Sequence, residues 1–178
     1  MVQKIFSNDF SLDETLSRFD QRFNEITCAM DTDDQIWINS ARGLGVALIH
    51  TMFYLKEDDR LKIRTLDVDP DTDDSFFEKF LSLGFDKIAE IYIKLLRDRL
   101  DDLHFNHENP SIREEKLKKT VELLTDYLKT RDFEIIGGNV RNINSGGKKL
   151  FDNDASLLQR IIAPESKQTT KDEISHNE

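Results

Sequence analysis

The segment DQIWINSARGLGVALIHTMFYL, residues Asp34 to Leu55, decides the fold. It holds the only tryptophan, Trp37, and no aspartate, glutamate or lysine lies between Asp34 and Lys56. Ile38, Ala41, Gly45, Leu48, Ile49, Met52 and Phe53 recur at helical spacing, and Trp37, Leu44 and Leu55 widen that stripe. A helix apolar around most of its girth needs partners on each face to exclude water, so this one is expected at the centre of a bundle. Ala41 and Gly45 stand one turn apart, where a neighbouring backbone is expected to come close. Loss of Trp37 or enlargement of Gly45 should therefore destabilise the fold.

Helices are expected on either side. Ser11-Leu-Asp-Glu14 has the order of a capping box, in which the Ser11 hydroxyl and the Glu14 carboxylate each meet a free backbone N–H. Leu12, Leu16, Phe19, Phe23, Ile26 and Met30 then form one apolar stripe. Downstream, a third helical region begins near Ser75. Gly84 ends or kinks it, Asp86 caps a continuation to about Leu103, and Ile88, Ile91, Tyr92, Leu95 and Leu96 form its buried face. Ser111 and Glu114 open a fourth helix, whose narrow stripe of Leu117, Val121, Leu124 and Leu128 places it on the bundle surface. Phe133 to Val140, with Gly137-Gly138, reads as a small hairpin, and Asn142 to Lys149 as a loop. Asp154 is expected to cap a last short helix carrying Leu157, Leu158, Ile161 and Ile162. The predicted class is all-α: four principal helices with a small irregular C-terminal segment, residues 1–163 forming one domain and 164–178 a disordered polar tail.

Composition narrows the function classes. The chain has 178 residues, 34% of them charged, and a net charge of -10, which opposes the phosphate neutralisation that nucleic-acid binding requires. Cys28 is the single cysteine, so an internal disulfide and a cysteine-rich metal site are excluded. MVQKIFSNDF lacks a signal-peptide core, and Asn39, Ser40, Arg42 and His50 interrupt the long apolar run. A cytoplasmic protein with neither a membrane nor a nucleic-acid partner is expected.

Four motifs have spacings that bear on chemistry. Asp67, Asp69, Asp71, Ser75 and Glu78 have the ligand spacing of a calcium-binding EF-hand loop, which this stretch resembles. Thr72 stands where that loop needs its turn glycine and Asp74 where it packs an apolar residue. An acidic connector that caps the third helix accounts for the same residues. Arg99-x4-His104 resembles the motif of the helical HEPN ribonucleases. In such an enzyme arginine would stabilise phosphoryl charge and histidine would move a proton. Here Asp101 and Asp102 would repel an RNA backbone. Trp37-x3-Ala41-Arg42-x-Leu44-x2-Ala47-Leu48-Ile49 resembles the helix opening the all-α domain of type IV secretion coupling ATPases, but no Walker motif accompanies it. Gly146-Gly-Lys-Lys149 is basic and glycine-bearing without P-loop order.

Within the central helix, Arg42 is expected to pair with a capping aspartate, and His50 to be a buried histidine with hydrogen-bond partners. No residue is assigned a catalytic or metal-binding role, and no cofactor is expected. The reading left standing is a non-enzymatic acidic interaction module, an adaptor, inhibitor or immunity-type factor. Asp71, Asp73 and Asp74 would face the basic surface of another protein, since they crowd more like charge than capping one helix requires.

Overall fold

The computed structural model describes residues 4–7, 9–28, 30, 35–57, 82, 84–101, 112–136, 139–142 and 146–162. They form an all-α bundle of five helices with one β-hairpin: α1 (Leu12–Thr27), α2 (Gln35–Glu57), α3 (Gly84–Asp101), α4 (Ile112–Thr130), β1 (Phe133–Ile136), β2 (Asn139–Asn142) and α5 (Gly147–Ile162).

Helix α2 is the centre. Ala41, Leu44, Ala47, Leu48, Ile49, Thr51, Met52, Tyr54 and Leu55 are all at most 2% exposed, so buried positions run round most of its circumference. It packs against α4, α5 and α1. Such a helix needs cover on every side, and the three neighbours supply it. Trp37 is only half-buried at its N-terminal end, against rather than within the core. The close approach at Gly45 is real but differs in kind from the expectation. A Cβ there would run into the Phe19 ring of α1 and come 3.0 Å from Leu158 Cδ2 of α5, so the crowding atoms belong to side chains.

Helix α1 begins as its cap residues direct. Ser11 Oγ accepts from the Glu14 N–H at 3.1 Å. The Glu14 carboxylate does not complete the box; it accepts from Arg18 Nη2 at 3.0 Å, one turn on. Arg18 also ties down the chain ahead of the helix, donating to the Lys4 carbonyl at 3.1 Å and standing 4.0 Å from the centre of the Phe10 ring. That segment buries Ile5 and Phe6, two core residues that fall outside any helical period.

Gly84 opens α3 at φ +81°, a backbone conformation open to glycine at little steric cost. Asp86 lies in the first turn rather than at the cap. The predicted inner face is buried at Ile88, Ile91, Tyr92 and Leu95, with Leu96 half-buried. The Tyr92 hydroxyl reaches Thr125 Oγ1 of α4 at 2.5 Å. Thr125 spends its own proton on the Val121 carbonyl at 2.7 Å, so Tyr92 is the donor. Helix α4 buries Leu117, Val121, Leu124 and Leu128 as expected, and adds Thr120 and Tyr127.

After Asp132, at φ 58°, the chain turns into the hairpin, which pairs Phe133 with Asn142 and Ile136 with Asn139. Phe133 stacks on Phe85 of α3 with ring centres 4.0 Å apart. The C-terminal segment departs from its predicted form. It is a regular helix that begins at Gly147, so Lys148 and Lys149 lie in its first turn and not in a loop. Residues 163–178, which include the expected tail of 164–178, lie outside the described residues.

Candidate functional site

The most concentrated polar chemistry in the described structure is a buried trio where α4 meets α5. Tyr127 and Arg131 stand four residues apart on and just after the last turn of α4, so they share a face. Asp154 projects from the apolar stripe of α5 between Phe151 and Leu158. Arg131 Nε donates to Asp154 Oδ2 and Arg131 Nη2 to Oδ1, each at 2.9 Å. This is the planar, two-pronged pairing that a guanidinium makes with a carboxylate. The Tyr127 hydroxyl adds a third donor to Oδ2, at 2.5 Å. Asp154 has no exposed surface and the Arg131 side chain has 7%.

Burial dominates the proton affinities here. It raises the Tyr127 hydroxyl far above its ordinary range, with the Asp154 charge acting in the same sense. It also raises Asp154, against the downward pull of the Tyr127 hydrogen bond and of Arg131. A carboxylate that accepts three hydrogen bonds and has no exposed surface is placed to hold helices together; a reactant could not reach it.

Asp154 is therefore a buried partner of another helix and not the helix cap that the sequence suggests. It lies mid-helix because α5 starts seven residues earlier, and its partners are 23 and 27 residues away in sequence. One signal was available: an aspartate three residues after Phe151 and four before Leu158 interrupts an apolar face, which a buried acid does only with partners.

Arg42 forms a second, more exposed cluster. Its Nη1 lies 3.1 Å from Asp20 Oδ1 of α1, its Nη2 donates to Asn24 Oδ1, and its guanidinium carbon is 4.9 Å from the centre of the Phe23 ring. Among the described residues its charged partner is thus Asp20 on the neighbouring helix; the 31–34 run expected to cap α2 lies outside the described residues. His50 is half-buried on α2. Burial and then Lys119 lower its proton affinity, while Asp13 raises it. Lys148 extends from α5 to Asp86 on α3 at 3.2 Å, an exposed pair worth little.

The other sequence candidates divide. Asp71, Asp73 and Asp74, the EF-hand-like stretch 67–78 and His104 lie outside the described residues. Arg99 lies in the last turn of α3, half-buried. Among the described residues no group of histidine, cysteine, aspartate and glutamate is placed to hold a metal ion, and no helix is long and apolar enough to cross a membrane. No family model, curated protein or solved structure matches the chain.

Proposed function

We propose that the protein is a non-enzymatic interaction module, an adaptor, inhibitor or immunity-type factor, that binds a basic surface on another protein through acidic residues, Asp71, Asp73 and Asp74 among them. The observation that supports this reading is where the charge lies. Across the described residues acids and bases are in near balance, so the excess behind the net charge of -10 falls in the stretches 31–34, 58–81, 102–111 and 163–178. Of these, 58–81 carries Asp71, Asp73 and Asp74. Near-neutral helices with the excess charge gathered in these stretches suit electrostatic steering, in which complementary potential speeds encounter and selects partners.

The test has two arms. The tagged chain is used to capture a basic protein from the native host, and association and dissociation are then followed at rising salt. Screening acts over about 8 Å at physiological ionic strength, so association should slow steeply as salt increases. Reversing Asp71, Asp73 and Asp74 to lysine should slow association more than it hastens dissociation. Binding indifferent to both salt and charge reversal would remove the electrostatic reading. Cleavage of single-stranded RNA by the parent, lost in His104→Ala, would replace it with a nuclease.

A further inference from the structure

Helix α2 packs against α4, α5 and α1, and one strip along it is left uncovered. Asn39 and Gly43 are exposed and Val46 and His50 half-buried, and at about 100° per residue the four fall within about 60° of the helix circumference. Gly43 has nothing within 4 Å of where a Cβ would stand. Arg42, at one border of the strip, reaches Asp20 and Asn24, so α1 forms that bank. Lys119 acts on His50 from α4, which forms the other bank, and Asp13 acts on it from α1.

The two banks carry opposite charge at the same height. Asp13 and Lys119 are both exposed and both act on His50, and among the described residues neither is in an ion pair. Leu16, one turn after Asp13, and Leu123, one turn after Lys119, are half-buried and add apolar surface to the banks. A face with acid on one side and base on the other is complementary to itself under one kind of two-fold operation. An axis parallel to α2 keeps each residue at its height and lays the acidic bank on the basic one, so Asp13 of each copy meets Lys119 of the other. An axis across α2 would set Asp13 against Asp13 and Lys119 against Lys119, which like-charge repulsion disfavours.

We propose that this face of α2 pairs with the same face of a second copy of the chain, the two α2 helices running parallel and Asp13 meeting Lys119 twice across the contact. One exposed strip and its two banks make a small interface, so the pair forms in concentrated solution and dissociates on dilution. Asp71, Asp73 and Asp74 take no part, so this pairing and the proposed capture of a basic protein are tested separately.

Sedimentation velocity over a rising concentration series tests the pairing. The parent should pass from monomer to dimer. Asp13→Lys and Lys119→Glu should each weaken pairing by about tenfold, since a reversed charge is felt at two equivalent contacts of a two-fold pair. Both positions are exposed, so neither change disturbs the core. Mixed in equal amounts, the two variants should pair as readily as the parent, because each offers the charge that the other lacks. Gly43→Arg brings two like charges together near the axis, and should abolish pairing while circular dichroism shows the parental helix content. A parent that stays monomeric throughout would overturn the proposal. So would a dimer that either charge reversal leaves unchanged, a mixture that pairs no better than the single variants, or a dimer that tolerates Gly43→Arg.

Discussion

Two glycines two residues apart on α2 should respond to the same substitution with opposite signs. Gly43 is exposed and has nothing within 4 Å of where a Cβ would stand. Gly43→Ala therefore adds only helix propensity, and should stabilise by about 0.8–1 kcal/mol. Gly45→Ala gains the same propensity but drives its methyl into the Phe19 ring and to 3.0 Å from Leu158 Cδ2. Phe19 has no exposed surface and stands 5.7 Å from Phe23, ring centre to ring centre, while Leu158 is also fully buried. Neither can yield without disturbing the contact between α1, α2 and α5. Overpacking of this kind costs about 1–3 kcal/mol, which leaves Gly45→Ala destabilised by about 1 kcal/mol after the propensity gain. The two variants should thus differ by about 2 kcal/mol, or about 4–8 °C in Tm for a chain of this length. Urea unfolding monitored by circular dichroism measures the difference directly. If Gly45→Ala is stabilised as much as Gly43→Ala, the packing of Phe19 and Leu158 on α2 is wrong.

Trp37→Ala should cost about 2 kcal/mol, at the low end for a large aromatic, because the side chain is half-buried; a loss above about 4 kcal/mol in urea would mean that it fills the core. His50 has a lowered folded-state proton affinity, so its contribution is present above its unfolded pKa of about 6.5 and is lost as pH falls through the folded value. The parent should lose stability relative to His50→Gln as pH is taken from 7 to 5, and parallel pH profiles would refute this. Asp154 has a raised folded-state value, so the sign reverses. Its contribution is complete below about pH 3.9 and declines as pH rises through the folded value, and the parent should lose ground to Asp154→Asn across that window. Millimolar calcium should leave Tm unchanged, because the stretch 67–78 lacks the turn glycine and apolar anchor of a calcium loop. A saturable rise that Glu78→Gln abolishes would make that stretch a metal site.

What could be read in advance follows the range of the interaction involved. The start of α1 at Ser11 depends on a hydroxyl and an N–H three residues apart, and the sequence displays both. The inner faces of α3 and α4 follow from apolar residues three and four apart. The partner of Arg42 and the burial of Phe6 were not legible in this way. Asp20 and Asp34 are equally good acceptors on paper, and only the docking of α1 on α2 brings Asp20 within reach. Phe6 belongs to no periodic segment, and its burial depends on the path held by Arg18.

The sequence by itself thus determined the helical class and the central place of the helix within residues 34–55. Helix formation and the polarity of a helix face are set by neighbours within one or two turns. Tertiary structure alone decided that α5 runs from Gly147, that Phe19 and Leu158 close over Gly45, and that Asp154 is a buried partner of Arg131 and Tyr127 and not a cap. A carboxylate is as well satisfied by backbone N–H groups at a helix start as by a guanidinium on another helix. Which of the two it meets depends on how α4 and α5 pack, and residues 23 and 27 positions apart carry no local record of that.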